Sequence, residues 1–298
     1  MYRHLPEKLK PALNTLPTNL RLPLETILDN NFKGFFSVEQ VMYLKAAGGD
    51  SMDERALLLT LIPVVAAYST PAISNLKVGA IAIGESGAWF FGANLEFKNL
   101  PLHHSVHAEQ SAISNAWLAG ENGIKKIAVN YTPCGHCRQF INELSTAKHL
   151  ELILANSNGL FRDFLPCSFG PSDLSISDNL MSKQEHELGG ISSDHLVNHA
   201  ISAARKSYAP YTKNYAGVAI QFNSGSIYTG RYAENAAFNP SLSPMQMACS
   251  QAVLAGEVLS EIFDAVLVET KNGIVSQQSC SIAVLEVVCN AKLRVHLV

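Results

Sequence analysis

One pattern of residues occurs twice in this chain of 298 residues, and that duplication limits the folds open to it. Gly79, Ser86, Gly87, Gly92 and Glu96 return without a gap as Gly217, Ser224, Gly225, Gly230 and Glu234. Further on, Gln110, Ala112, Ser114, Ala116 and Leu118-Ala119-Gly120 are matched by Gln246, Ala248, Ser250, Ala252 and Leu254-Ala255-Gly256. The economical reading is a domain copied once. Residues 49–155 and 191–298 then hold the two copies. Residues 156–190, rich in Ser, Asn, Asp, Gly and Pro, read as a linker, and residues 1–48 as a small helical segment cut by Pro6, Pro11, Pro17 and Pro23.

Within the first copy the patterns alternate. Ser37 with Gln40 three positions on forms an N-terminal capping pair, opening a helix that ends at Gly48-Gly49. Asp53 to Tyr68 reads as an apolar helix, stopped or kinked near Pro63. Two β-rich runs, 78–83 and 88–92, flank a Glu85-Ser86-Gly87 turn and predict a hairpin. A helix carrying His107 and Glu109 runs to Gly120, a glycine placed as a helix terminator. A strand at 127–131 feeds Thr132-Pro133, read as an N-cap and first helical proline, and Leu150–Leu154 is another strand. Helix, hairpin, helix, strand, helix, strand describes a mixed α/β layer fold.

Composition excludes more than it proposes. Hydrophobic residues at 47% and charged residues at 16% describe a globular protein with a large core. A formal charge of -3 offers no excess for a polyanion, which argues against a nucleic-acid partner. Met1 to Lys10 shows no apolar leader segment, and the longest apolar run, Leu57 to Tyr68, is 12 residues broken by Thr60 and Pro63, too short to cross a bilayer. Six cysteines in a chain this long read as reduced thiols of a cytoplasmic protein.

Chemistry concentrates in Val106-His107-Ala108-Glu109-Gln110 and Thr132-Pro133-Cys134-Gly135-His136-Cys137-Arg138. A catalytic zinc takes three protein ligands and keeps one position open. His107, Cys134 and Cys137 supply three, and Glu109 stands beside them without having to ligate. Helix N-termini favour thiolate, the metal-binding form. A spacing of three places both cysteines on one helical face. A closed structural zinc site would need a fourth ligand and leave Glu109 without a role, while His103, His104 and His136 read as solvated or structural. Cys134-Gly135-His136-Cys137 also has the spacing of a redox dithiol, but it follows proline and lies deep in the chain. The second copy lacks the set: Ser243 stands for His107, Met245 for Glu109, and only Cys280 remains near the place of the cysteine pair.

His-x-Glu followed by Pro-Cys-x-x-Cys is the established signature of zinc deaminases. With Phe91-Gly92-Ala93-Asn94-Leu95-Glu96-Phe97 and Tyr232-Ala233-Glu234-Asn235-Ala236-Ala237-Phe238-Asn239-Pro240 it makes the chain, over essentially its whole length, resemble the longer, dimeric bacterial cytidine deaminases. The resemblance implies duplicated three-layer α/β/α domains after a small N-terminal helical part, and one Zn2+ per chain. It implies hydrolysis of cytidine and 2′-deoxycytidine at C4 for pyrimidine salvage, in a homodimer with sites shared between subunits. Glu109 would move protons, the backbone around Ala108 and Thr132 would meet the base edge, and Asn94 and Glu96 would bind the ribose hydroxyl. Phe169 from the linker would pack on the base, and Ala237 and Phe238 would come from the partner's second copy. Where the family usually has a phenylalanine against the pyrimidine this chain has Leu76, which keeps an apolar wall and loses ring stacking. A nucleotide deaminase would want a cationic pocket, and only Lys98 and Arg138 lie near the motifs. A deaminase of RNA or DNA bases would want a basic groove.

Overall fold

The computed structural model describes residues 7–29, 32–50 and 52–298. Pro6 and most of the stretch read for a leader, positions 1–6, lie outside the described residues. The N-terminal segment comprises α1 (Lys10–Leu13), α2 (Thr18–Asp29), a two-residue strand β1 (Phe35–Phe36) and α3 (Val38–Gly48). Helix α4 (Glu54–Ala66) precedes strands β2 (Gly79–Gly84) and β3 (Trp89–Ala93). Then follow α5 (Ala108–Leu118), β4 (Ile124–Val129), α6 (Gly135–Asn142), β5 (Glu151–Ile153), β6 (Asn158–Leu160) and α7 (Phe161–Phe164). The second copy contains α8 (His195–Arg205), β7 (Ala216–Phe222), β8 (Ile227–Arg231), α9 (Pro244–Leu254), β9 (Ile262–Glu269), α10 (Gln278–Val288) and β10 (Leu293–Leu297).

The two sheets repeat one plan. The first has the order β1-β3-β2-β4-β5-β6 and the second β10-β9-β7-β8. In each, a hairpin pairs antiparallel with a third strand, which runs parallel to a fourth: β4 with β5, β9 with β10. Even the irregularity is copied, since register shifts at Ile83/Gly84 and again at the matching Gln221/Phe222. Each sheet carries a helix on either face, α4 and α5 in the first copy, α8 and α9 in the second. This is the expected duplicated α/β/α arrangement.

Glycine decides how closely the layers approach. A β-carbon on Gly92 would stand 2.2 Å from the Ala108 carbonyl oxygen and the Ala112 nitrogen, so α5 rests directly on the backbone of β3. Gly230 repeats this against α9, its β-carbon falling 2.0 Å from the Pro244 carbonyl oxygen. Small residues complete the fit: α5 reads Ala-Glu-Gln-Ser-Ala-Ile-Ser-Asn-Ala-Trp-Leu and is buried on every side but its last residue. Its other side meets α9, where the Ser111 and Ser250 hydroxyls bond at 2.7 Å. Gln110 donates to the Pro240 carbonyl and Gln246 to the His104 carbonyl, a reciprocal pair that binds the copies into one core.

Several boundaries differ from expectation. The Ser37–Gln40 capping box is present, and α4 begins at an Asp53 cap but runs on through Pro63 to Ala66. Strand β4 ends at Val129, because the Asn130 side chain takes over, accepting from the Gly79 N–H and donating to the Lys77 carbonyl. Thr132 is not the cap of α6. Cys134 is, with extended backbone (φ -70, ψ 171), and its carbonyl accepts the first intrahelical bond from Arg138. The stretch read as linker begins as structure: β6 extends the first sheet by pairing with β5, and Phe161 is buried. The N-terminal helices bury Leu9, Leu13, Leu20 and Leu24 against Leu57, Leu61, Ile81 and Phe91, and β1 pairs with β3. They cover the face of the first sheet opposite α5.

If the backbone contact at Gly92 holds α5 in place, Gly92→Ala should cost about 1–3 kcal/mol through overpacking and lower the melting temperature. Gly190→Ala, where a β-carbon meets nothing within 4 Å, should leave it unchanged. Equal melting of the two variants in a calorimetric scan would contradict this packing.

Candidate metal centre

Three short segments build the centre. Residues 94–96 leave β3 as an extended piece pinned on both sides. The Leu95 backbone exchanges bonds of 2.9 and 2.8 Å with Val106, and Thr70 bonds to Asn94 and Glu96. Asn94 and Glu96, two apart, therefore face the same way. His107 sits at the N-cap of α5, its N–H bonded to the Gln110 side chain at 3.3 Å. Cys134 caps α6, and Cys137 lies three residues on in its first turn.

The two helix starts converge. His107 Nδ1 lies 3.5 Å from Cys134 Sγ and 3.2 Å from Cys137 Sγ, and the two sulfurs are 3.6 Å apart. Tetrahedral zinc, with bonds of about 2.3 Å to sulfur and about 2.0 Å to nitrogen, sets such ligand atoms about 3.5–3.8 Å apart. The donor set fits. Among the described residues these three form the one such group of His, Cys, Asp and Glu ligand atoms. No cysteine of the chain is paired in a disulfide.

The charges are mutually dependent. Hydrogen bonds with Cys137 and then His107 draw the Cys134 thiol down to about 3, while its bond to Cys134 and its burial push Cys137 well up. The bond with Cys134 raises His107 against its burial. Glu109 is buried, and burial lifts its carboxyl above the usual range despite hydrogen bonds from the backbone and Cys137. Burial would lift Glu96 too, but bonds from the Ser74 hydroxyl and from the N–H groups of Ser74 and Ile73 outweigh it and hold it low.

A cavity of about 340 Å3 opens over these groups. Leu76, Asn94, Glu96, His107, Ala108, Glu109, Thr132 and Cys134, all expected from the sequence, line it. Ser74, Val78, Leu102, Ser105 and Tyr131 line it as well and had not been singled out. Ser74 could have been found, because the repeat places Thr212 in the same position. Glu234 accepts from the Thr212 hydroxyl and N–H and from the Tyr211 N–H as Glu96 does from Ser74 and Ile73. Tyr131 and Leu102 are exposed at the mouth and left no pattern. Phe169 does not line the cavity of its own chain: its carbonyl is tied to Gln139 and Asn142 on the outer side of α6. Ala237 and Phe238 also stand outside it, exposed at a loop tip.

The matching place in the second copy is filled. Ser243 caps α9 where His107 caps α5, and Met245, with no exposed surface, replaces Glu109. Gln277 caps α10 and Cys280 lies three residues on, repeating the places of Cys134 and Cys137. Cys280 meets His104 Nδ1 at 3.7 Å and Gln246 Oε1 at 3.8 Å, so His104 has a structural place there. The His136 ring lies beside that of His107, with centroids 5.0 Å apart.

Comparison with known proteins finds two matching regions. The family described as "Cytidine and deoxycytidylate deaminase zinc-binding region" matches in two forms, over residues 52–151 and over residues 161–281. A cytidine deaminase of Aeromonas hydrophila is 56% identical over 294 residues, spanning 98% of this chain and 99% of that protein. One from Aeromonas salmonicida is 55% identical over 294 residues, spanning 98% and 99%. A solved cytidine deaminase from Burkholderia pseudomallei is 28% identical with a TM-score of 0.35, covering 40% of this chain and 100% of that one.

Cys134→Ser or Cys137→Ser should release zinc and lower thermal stability, since ligation and folding are coupled. Cys280→Ser should keep both. Metal content by mass spectrometry after gel filtration decides this, and equal zinc loss from Cys280→Ser would place metal in the second copy.

Proposed function

The chain belongs to the zinc-dependent cytidine deaminase family, and we propose that its cavity hydrolyses cytidine and 2′-deoxycytidine to uridine and 2′-deoxyuridine, releasing ammonia. One observation carries this reading: three ligands converge beside the buried Glu109 carboxyl, and His107, Cys134 and Glu109 line a single cavity large enough for one nucleoside. His107, Cys134 and Cys137 would hold the zinc, which when bound lets a water ionise near neutral pH. Glu109, two residues from His107 and outside the ligand group, is the proton carrier. It takes one water proton to ring N3 and delivers the second to the departing amine as the C4–N bond breaks. A carboxyl raised by burial suits both directions of transfer.

The rest of the cavity orients the nucleoside. Asn94 and the Glu96 carboxylate, both lining the cavity, would bond the ribose hydroxyls. The Asn94 amide is itself braced, donating to the Leu76 carbonyl at 3.0 Å and accepting from the Val78 N–H at 2.9 Å. Leu76 and Val78 offer an apolar wall for the pyrimidine, and the backbone at Ala108 and Thr132 offers its edge partners. The lining holds no lysine or arginine, which favours a nucleoside over a nucleotide. No described helix is long and apolar enough to cross a membrane. Six cysteines without a disulfide support a cytoplasmic place, and we assign the reaction to pyrimidine salvage.

We place two chains in the working enzyme, each lending Ala237 and Phe238 to the other's cavity. Phe238 is 65% exposed on a loop that the second copy retains although its metal ligands are gone. Two-fold symmetry makes both sites composite.

An ultraviolet assay of cytidine and 2′-deoxycytidine should show conversion of both, with zinc near one per chain. Glu109→Gln should keep the zinc and lose at least roughly a hundredfold in turnover. Zinc loss in that variant would mean the ligand set is wrong. Co-expressing Glu109→Ala with Phe238→Ala should restore about a quarter of the sites by random pairing. No recovery, with Phe238→Ala alone inactive, would confine Phe238 to its own chain.

A further inference from the structure

Glu143, the residue just past the end of α6, has no exposed surface, and the chemistry above makes no use of it. Its carboxylate is the meeting point of three donors from the second copy. One oxygen accepts from the Tyr208 hydroxyl at 2.9 Å and from the Tyr211 hydroxyl, the other from the Ala236 N–H at 3.0 Å. One turn back on the same helix, the Gln139 carbonyl accepts from the Asn235 amide at 2.9 Å. Two bonds, from Ala236 and Asn235, thus fasten α6 to the segment running into the 237–238 tip, and two more, from Tyr208 and Tyr211, fasten it to the turn whose Tyr211 ring meets Phe238.

That tip is held in an uncommon shape. Phe238 has φ +63, a left-handed backbone that a bulky side chain rarely adopts. It is locked by bonds from the Phe238 N–H to the Asn235 carbonyl and from the Ser241 N–H to the Phe238 carbonyl, each 2.9 Å. The Asn235 side chain accepts from the Ala237 N–H at 3.0 Å, and Tyr211 meets the Phe238 ring edge-on, centroids 6.3 Å apart. The buried start of the loop is therefore anchored on Glu143 through Ala236 and on Gln139 through Asn235, and its exposed tip carries the Phe238 ring. A buried carboxylate with three converging donors is costly to lose, because each donor would be left without an acceptor.

We infer that Glu143 is a positioning residue for substrate binding: it sets the 235–238 loop of its own chain in the form that the partner's cavity receives. This rests on the shared-site reading above. Acting on the loop, Glu143 governs how well substrate is held. It leaves the zinc ligands of its own α6 and the proton transfer by Glu109 untouched.

The test uses Glu143→Gln, which keeps size but removes the charge and replaces one acceptor oxygen with an amide donor, and Tyr211→Phe, which removes a single donor. Both should raise KM for cytidine by roughly tenfold, the scale of one lost hydrogen bond to a charged group. Turnover at saturation should stay within about twofold and zinc near one per chain. Tyr211→Phe carries the test should Glu143→Gln fail to fold. Co-expression with Glu109→Ala then locates the lesion. If the loop acts in trans, the active sites of the mixed dimers are free of both changes and show the wild-type KM. If the mixed dimers, purified away from the homodimers, keep the raised KM, Glu143 acts through α6 in its own chain and the inference is overturned. Failure of the Phe238→Ala and Glu109→Ala mixture to recover activity would remove the shared-site reading itself, a different outcome read from a different pair.

Discussion

Helix α5 lies against β3 at a distance that only glycine at position 92 allows, and the metal centre depends on that contact. The helix start carries His107 and Glu109, and the strand end carries Asn94 and Glu96. Backbone resting on backbone fixes the offset between them without relying on side-chain packing, which could settle in more than one way. The Leu95–Val106 bridge then sews the strand extension to the residue before His107. His107, Glu109 and the Glu96 carboxylate thus share one rigid support. The cysteine pair comes from α6, whose register is set by the parallel pairing of β4 with β5 on either side of it.

Duplication explains how the chain supports so polar a centre. The second copy repeats the glycine contact, the hairpin and the capped helices, but spends its ligand positions on packing: Met245 is fully buried, and Cys280 and Gln246 close around His104. The α5–α9 contact then gives the catalytic half a second wall that the N-terminal helices, on the opposite face of the sheet, do not supply. Loss of metal and retention of fold are compatible because the glycine contacts and the carboxylate–turn bonds, Glu96 with residues 73–74 and Glu234 with residues 211–212, are independent of the metal.

Much of this was legible in the sequence, for identifiable reasons. Metal ligation needs particular atoms, so His107, Cys134 and Cys137 announce themselves by type and spacing. Glycine required by close approach repeats with the fold, so Gly92 and Gly230 mark the duplication. What escaped was set by side chains replacing backbone bonds or by chain geometry beyond local pattern. Asn130 ends β4 early, Cys134 rather than Thr132 caps α6, and β6 joins the sheet from a segment whose composition reads as linker. Leu102 and Tyr131 reach the cavity through folding of loops that carry no periodicity, whereas Ser74 has its counterpart in Thr212 of the second copy.

The central claim is a single three-ligand metal site, open on one side, in the first copy alone. X-ray absorption at the zinc edge on the purified protein tests it most directly. The account predicts one zinc per chain with two sulfur neighbours at about 2.3 Å and two lighter neighbours, one of them a histidine nitrogen, at about 2.0 Å. A shell of four protein ligands with three or more sulfurs, or two zincs per chain, would contradict it.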